Sequence, residues 1–147
     1  MTHKTKKTLS LTPGKAYRIG KYDMILLKAV NGKCYMLAKD FYGENTIFDK
    51  ETNQYKDSNV DKICQKFAAE IEAIVGSENV IEHTVDLISS DGSRKYGTIK
   101  RKASLLTLDM FKEYEDILKE HNPKRWWWLA TPWKDTEWGV SCVSPDG

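Results

Sequence analysis

The sequence predicts an α+β fold: an N-terminal β-hairpin, then two helices over about residues 58–75 and 108–120, packed on a small, mainly antiparallel sheet that includes a Trp-rich strand. Three observations carry this reading. Two β-prone runs flank Asn31-Gly32, apolar residues recur at helical spacing in two later stretches, and an aromatic run beginning at Trp126 has the composition of a strand.

Taken in order, residues 1–14 are basic and polar and end in Pro13-Gly14, so they read as a flexible tail ahead of one α+β domain spanning residues 15–147. The runs beginning at Met24 and Lys33 are joined by Asn-Gly, the strongest local signal for a two-residue type I′ turn, because both turn residues need a positive φ. Residues 40–58 are rich in Asp, Asn, Tyr and Phe without a period and read as a long connection. Asp57 or Ser58 can cap the first helix, which stops at Gly76 and carries Ile63, Phe67, Ile71, Ile74 and Val75 as its apolar stripe.

A short extended passage follows around His83-Thr-Val-Asp-Leu, then a turn-rich Ser89-Ser-Asp-Gly-Ser. Thr107 caps the second helix, with Leu108, Phe111, Tyr114, Ile117 and Leu118 on one face and Asn122-Pro123 ending it. In the final segment, strand alternation sends Trp126 and Trp128 to one side and Trp127 and Leu129 to the other, so both faces are to be covered. The stretch from Glu137 to Val143 reads as its partner strand.

The 147 residues suffice for one core, and 40% apolar with 30% charged residues is an ordinary globular composition. No run approaches the roughly 20 apolar residues that span a bilayer, and Leu9-Ser-Leu-Thr-Pro is too short and polar for a signal peptide, so the expected location is cytoplasmic, with no membrane partner. Cys34, Cys64 and Cys142 lie far apart and odd in number, which argues against a disulfide framework and for reduced thiols. The net charge of +2 hides a partition. Residues 1–28 carry seven basic side chains against Asp23 alone, a net of +6, and residues 40–86 carry eleven acids against four lysines, a net of −7. The basic stretch has only His3 and Tyr17 as interleaved rings, so a stacking platform for nucleic acid is not encoded there.

The motifs of nucleotide binding, zinc peptidases and serine hydrolases are all missing. Glu82-His83 with Asp86 is the one carboxylate–imidazole cluster, and in an extended segment His83 and Asp86 fall on opposite faces, so a structural hydrogen bond is expected there rather than catalysis. A metal site would have to gather Cys64, Cys142, His83 or His121 from afar, since neither His has a Cys or His partner two to four residues on. No cofactor and no catalytic residue are expected. The five tryptophans, all after residue 125, are the best binding candidates. Trp126 and Trp128 are expected to fill the core, and Trp127, Trp133 and Trp138 to serve at a surface, with Lys124 and Arg125 adding cation–π contacts.

Taken together, Ile19-Gly-Lys-Tyr-Asp, His83-Thr-Val-Asp-Leu, Asp91-Gly with Tyr96-Gly, Ser104-Leu-Leu-Thr-Leu-Asp-Met with Tyr114, Trp126-Trp-Trp-Leu-Ala-Thr-Pro-Trp and Val140-Ser-Cys-Val-Ser-Pro-Asp-Gly are distinctive. The succession resembles a Trp-rich bacterial and phage domain family of unknown function, over about residues 15–147. That family is itself distantly similar to the C-type-lectin-like and sulfatase-modifying-factor folds, in which a Trp-rich strand lies beneath variable loops. Members usually continue past the Asp-Gly with further strands, whereas this sequence stops at Gly147. The difference is either a natural shortening, which would leave an edge open beside Val140, or an artificial end. The resemblance carries over no catalytic residue and implies a binding role. The leading expectation is a non-enzymatic protein–protein interaction domain, phage or mobile-element encoded, whose partner is a host protein or complex and which could inhibit a host defence complex such as a CRISPR nuclease. The alternatives are a lectin-like domain for carbohydrate or another small ligand, and a metal-binding protein using the Cys and His residues.

Overall fold

The computed structural model describes residues 10–134 and 139–147. It is an α+β structure of seven short strands and three α-helices among those residues. Strands β1 (Ala16–Ile19), β2 (Tyr22–Val30) and β3 (Lys33–Ala38) form one antiparallel sheet in the order β1-β2-β3. Asn31 and Gly32 adopt φ of 52° and 74°, the pair of positive values that a type I′ turn requires, and Val30 faces Lys33 across it. Residues 1–9 of the expected tail lie outside the described residues. Beyond them the chain is tied down: Gly14 N–H donates to the Leu26 carbonyl at 2.8 Å, and the Gly14 carbonyl lies 2.7 Å from His121 Nε2.

Helix α1 (Asn59–Val75) begins at Ser58, whose hydroxyl accepts the Asp61 N–H at 3.2 Å, and ends at Gly76 with φ of 93°. Its buried positions are Val60, Asp61, Ala68 and Ile71. The expected stripe turns slightly at its C-terminal end, where Ile74 is largely exposed and its Cδ1 would lie 2.7 Å from a Cβ at Gly20. Gly20, at φ of 58°, therefore meets two demands at once: the turn between β1 and β2, and close contact with α1. A 3₁₀ turn over Ser77–Asn79 leads to β4 (His83–Asp86), which pairs antiparallel with β5 (Thr98–Arg101).

The single helix expected over 108–120 is two, α2 (Leu108–Glu113) and α3 (Glu115–Glu120). Tyr114 departs from helical geometry at φ of −107° and ψ of 20°, and with no Gly or Pro at the break the apolar period runs straight through it. Strand β6 (Trp127–Pro132) pairs antiparallel with β7 (Val140–Val143). The one sheet expected from sequence is thus three small antiparallel sheets, because each strand set closes on its own neighbour. Among the described residues no helix is long and apolar enough to cross a membrane.

Strand β6 stands between two hydrophobic clusters. Trp127 and Leu129 join Leu27, Leu106, Leu118 and Val143, with Phe111 and Ile117 packed against them. Trp128 and Ala130 join Phe48, Tyr55, Val60, Val85 and Leu87. The alternation of a pleated strand thereby assigns successive residues to different cores.

A carboxylate is buried at the first turn of α1. Asp61, whose side chain is 3% exposed, accepts Arg101 Nε at 3.0 Å and Nη2 at 2.8 Å, Gln65 Nε2 at 3.0 Å and the Asp57 N–H at 2.8 Å. Burial works against the charged carboxylate, but the Arg101 bonds and these neutral donors outweigh it and hold the pKa below the usual carboxylate range. The pair joins the first turn of α1 to β5. Removing one member of a buried ion pair costs about 3–5 kcal/mol, and because Arg101 keeps some contact with water the lower end applies. Asp61→Asn is therefore expected to lower the unfolding free energy by about 3 kcal/mol in urea titrations. The folded pKa lies below the unfolded one, so this stabilisation is complete above the unfolded value and is lost as the pH falls from there through the folded value. The gap between wild type and variant closes in that acid window.

Candidate interaction surface

The sequence-expected binding residues divide between the two ends of β6. Before the strand, Lys124 takes a left-handed backbone at φ of 55°, and Trp127 opposite Val143 is the first cross-strand pair, so nothing in β7 stands opposite Trp126. Trp126 is accordingly 67% exposed, which corrects its expected place in the core. Among the described residues, no cation–π contact joins Arg125 to a tryptophan. Its guanidinium sits 4.7 Å from the centre of the Phe41 ring and donates to Asn45 Oδ1 at 2.8 Å, while Lys124 is exposed beside it. Six strand residues rising about 3.3 Å each separate this end from Trp133, a distance of about 20 Å.

The two central tryptophans are structural. Trp128 packs edge-on against Phe48, with ring centres 5.9 Å apart, and its indole N–H donates to the Thr46 carbonyl at 3.2 Å. Trp127, expected at a surface, instead lies against Phe111 at 6.0 Å, and its Nε1 is buried with no partner. Its ring is therefore committed to the second core by the same alternation that sends Trp128 to the first.

At the other end of β6 the geometry favours display. Trp133 follows the fully buried Pro132 directly and is 56% exposed. Its N–H donates to the Gly139 carbonyl at 2.8 Å, closing the base of the connection to β7, and a Cβ on Gly139 would come within 3.0 Å of the Trp133 Cβ. Both ends of the connection are held by one side chain: the amide of Asn53, a residue 2% exposed, donates to the Lys134 carbonyl and, at 3.1 Å, to the Gly139 carbonyl. Tyr96 Oη fixes the orientation of that amide by donating to Asn53 Oδ1 at 2.7 Å. Trp138 lies outside the described residues.

The neighbouring turn completes a polar rim. Ser90 N–H donates to the Pro132 carbonyl at 2.9 Å, and its hydroxyl lies 3.2 Å from that of Ser141. The Asp91 carboxylate accepts the Ser89 hydroxyl and the Ser93 N–H; these bonds, with the nearby Lys134 charge, keep its pKa below the ordinary range. Asn53 and Tyr96 escaped the sequence reading. Asn53 lies in an aperiodic stretch, and nothing local marks an Asn as the partner of a loop more than 80 residues away.

The Cys and His residues considered for a metal are engaged separately. His83 Nε2 is 2.8 Å from Ser104 Oγ, and burial lowers its pKa; His121 faces the Gly14 carbonyl. Cys64 sits beside Tyr55, with its thiol pKa raised by burial, and Cys142 is exposed on β7. Among the described residues no three His, Cys, Asp or Glu side chains are grouped as a metal site would need. Compared with known proteins, the chain matches no family model, no curated protein and no solved structure.

Core and surface tryptophans should separate cleanly in thermal unfolding. Trp128→Ala is expected to cost about 3 kcal/mol, as large-to-small changes in a packed cluster do. Trp133→Ala is expected to stay within about 0.5 kcal/mol of wild type. Asn53→Ala removes its bonds to the Lys134 and Gly139 carbonyls and the acceptor that the Tyr96 hydroxyl uses, and should cost about 1–3 kcal/mol, while speeding hydrogen exchange at the Trp133 amide.

Proposed function

We propose that the protein is a non-enzymatic protein–protein interaction domain that docks its partner through Trp133 and the polar rim around it. One observation carries the reading: a large, mostly exposed indole stands on a connection whose two ends are clamped by a buried Asn53 amide. An aromatic anchor held in advance loses little conformational freedom on binding, and such anchors within a polar surround are where interface energy concentrates. The rim offers a carboxylate at Asp91 and an ammonium at Lys134 rather than a run of cations, which favours a protein surface over a phosphate backbone. The partner class to try first is a cytoplasmic host complex, and among these a defence nuclease of the CRISPR kind, on the strength of the phage-domain resemblance alone.

The test is co-purification with candidate complexes, carried out with variants at both ends of β6. Trp133→Ala should reduce partner recovery by tenfold or more, in keeping with a hot-spot loss of about 2 kcal/mol. Asn53→Ala should weaken binding less, since the indole remains but its platform loosens. Trp126→Ala, at the far end, should bind as wild type. Equal recovery with Trp133→Ala and wild type would remove the surface from consideration.

A further inference from the structure

A second feature, independent of the Trp133 connection, lies where the start of β2, the loop after β3 and the middle of α1 meet. Here a cleft of about 170 Å³ is walled by Tyr22, Phe41, Tyr42 and Phe67, with the carboxylates of Asp23 and Asp40 among its lining groups. Three of the rings brace one another: Tyr22 and Phe67 meet edge-on at 5.2 Å and 82°, and Tyr42 and Phe67 at 5.1 Å and 53°. The hydroxyls of Tyr22 and Tyr42 both donate to the Glu70 carboxylate on the next turn of α1. That bond, foremost, pushes the Tyr22 pKa up to about 12, so the phenol stays neutral and its ring stays anchored.

The walls are chemically one-sided. Aromatic faces carry the negative end of a quadrupole and attract cations within about 6 Å. Two of these rings already do so within the chain, since Lys21 Nζ stands 5.3 Å from the centre of Tyr22 and the Arg125 guanidinium 4.7 Å from that of Phe41. Asp23 and Asp40, by contrast, make no ion pair and accept no side-chain hydrogen bond among the described residues. Among the described residues, two carboxylates without an ion pair therefore share the cleft with one ammonium, that of Lys21, whose side chain is exposed.

We infer that this cleft is a binding site for a methylated ammonium group, with the rings of Tyr22, Tyr42 and Phe41 receiving the methyls and Asp23 and Asp40 neutralising the charge. A bare ammonium is strongly hydrated and gives up its water at high cost, whereas methyl groups spread the charge over an apolar surface that suits ring walls. Lys21 acts as a resident competitor over Tyr22, as Arg125 does over Phe41, until a better cation displaces it.

The probe is tetramethylammonium chloride, titrated into the isotope-labelled full chain at constant chloride and followed by amide chemical shifts. Saturable shifts are expected at Tyr22, Tyr42 and Phe67, with Trp127 to Thr131 in β6 unmoved as a sign that the fold is intact. Replacing both carboxylates, Asp23→Asn with Asp40→Asn, should weaken binding about tenfold, and Lys21→Ala should tighten it severalfold by removing the competitor and its charge. The neutral near-isostere 2,2-dimethylpropanol, whose tert-butyl group has the shape of a trimethylammonium, should give no comparable shifts. The proposal is overturned if tetramethylammonium fails to saturate below about 100 mM, if the neutral isostere binds equally well, or if Lys21→Ala weakens binding. Because none of these readouts involves Trp133, loss of the docking proposal leaves this one standing, and the reverse.

Discussion

The alternation of side chains along β6 is the constraint on which the rest of the structure depends. A strand that buries both faces must find two sets of apolar partners, and Trp127-Trp-Leu-Ala finds them in order: Phe111, Leu118 and Val143 on one side, Phe48, Tyr55 and Val85 on the other. A shift of one residue in register would exchange the two sets and place each large ring in a cluster shaped for its neighbour. The run before α2 obeys the same rule, because Leu105 packs with the first cluster and Leu106 with the second while the Leu106 carbonyl accepts the Ala130 N–H at 2.8 Å. Leu108 N–H, two residues on, donates to Thr131 Oγ1, so the start of α2 is fixed against the same strand.

How far the sequence could be read depended on the range of each cause. The β2–β3 turn and the ends of α1 were legible because Asn31-Gly32, Ser58 and Gly76 act within a few residues of themselves. The covering of both faces of the Trp-rich strand was legible too, since it follows from pleating and composition. The break at Tyr114 was not, because it has no local breaker and six-residue helices exist only through what they pack against. Strand β5 was missed for a related reason: Thr98-Ile-Lys-Arg is short and mostly polar, and becomes a strand by pairing with β4 and by delivering Arg101 to Asp61.

The candidate surface shows the same limit. Aromatic content pointed to the right segment, but the placing of Trp126 outside and Trp127 inside turns on where β6 begins, and that is set by the left-handed Lys124 and by where β7 runs out of partners. The aperiodic stretch between β3 and α1 read as a mere connection, yet it contributes Phe48 and Tyr55 to the core and Asn53 to the clamp. Distant hydrogen bonds of this kind leave no periodic trace.

The Asn53 clamp grips only main-chain carbonyls, those of Lys134 and Gly139, and is therefore indifferent to which side chains fill the four positions between them. Substitutions in that stretch leave both bonds of the clamp in place, since each ends on a main-chain oxygen outside it. A lineage in pursuit of a partner that keeps changing would thus hold its scaffold constant and confine its experiments to a handful of codons, and a protein engineer could use the same seam as a graft point.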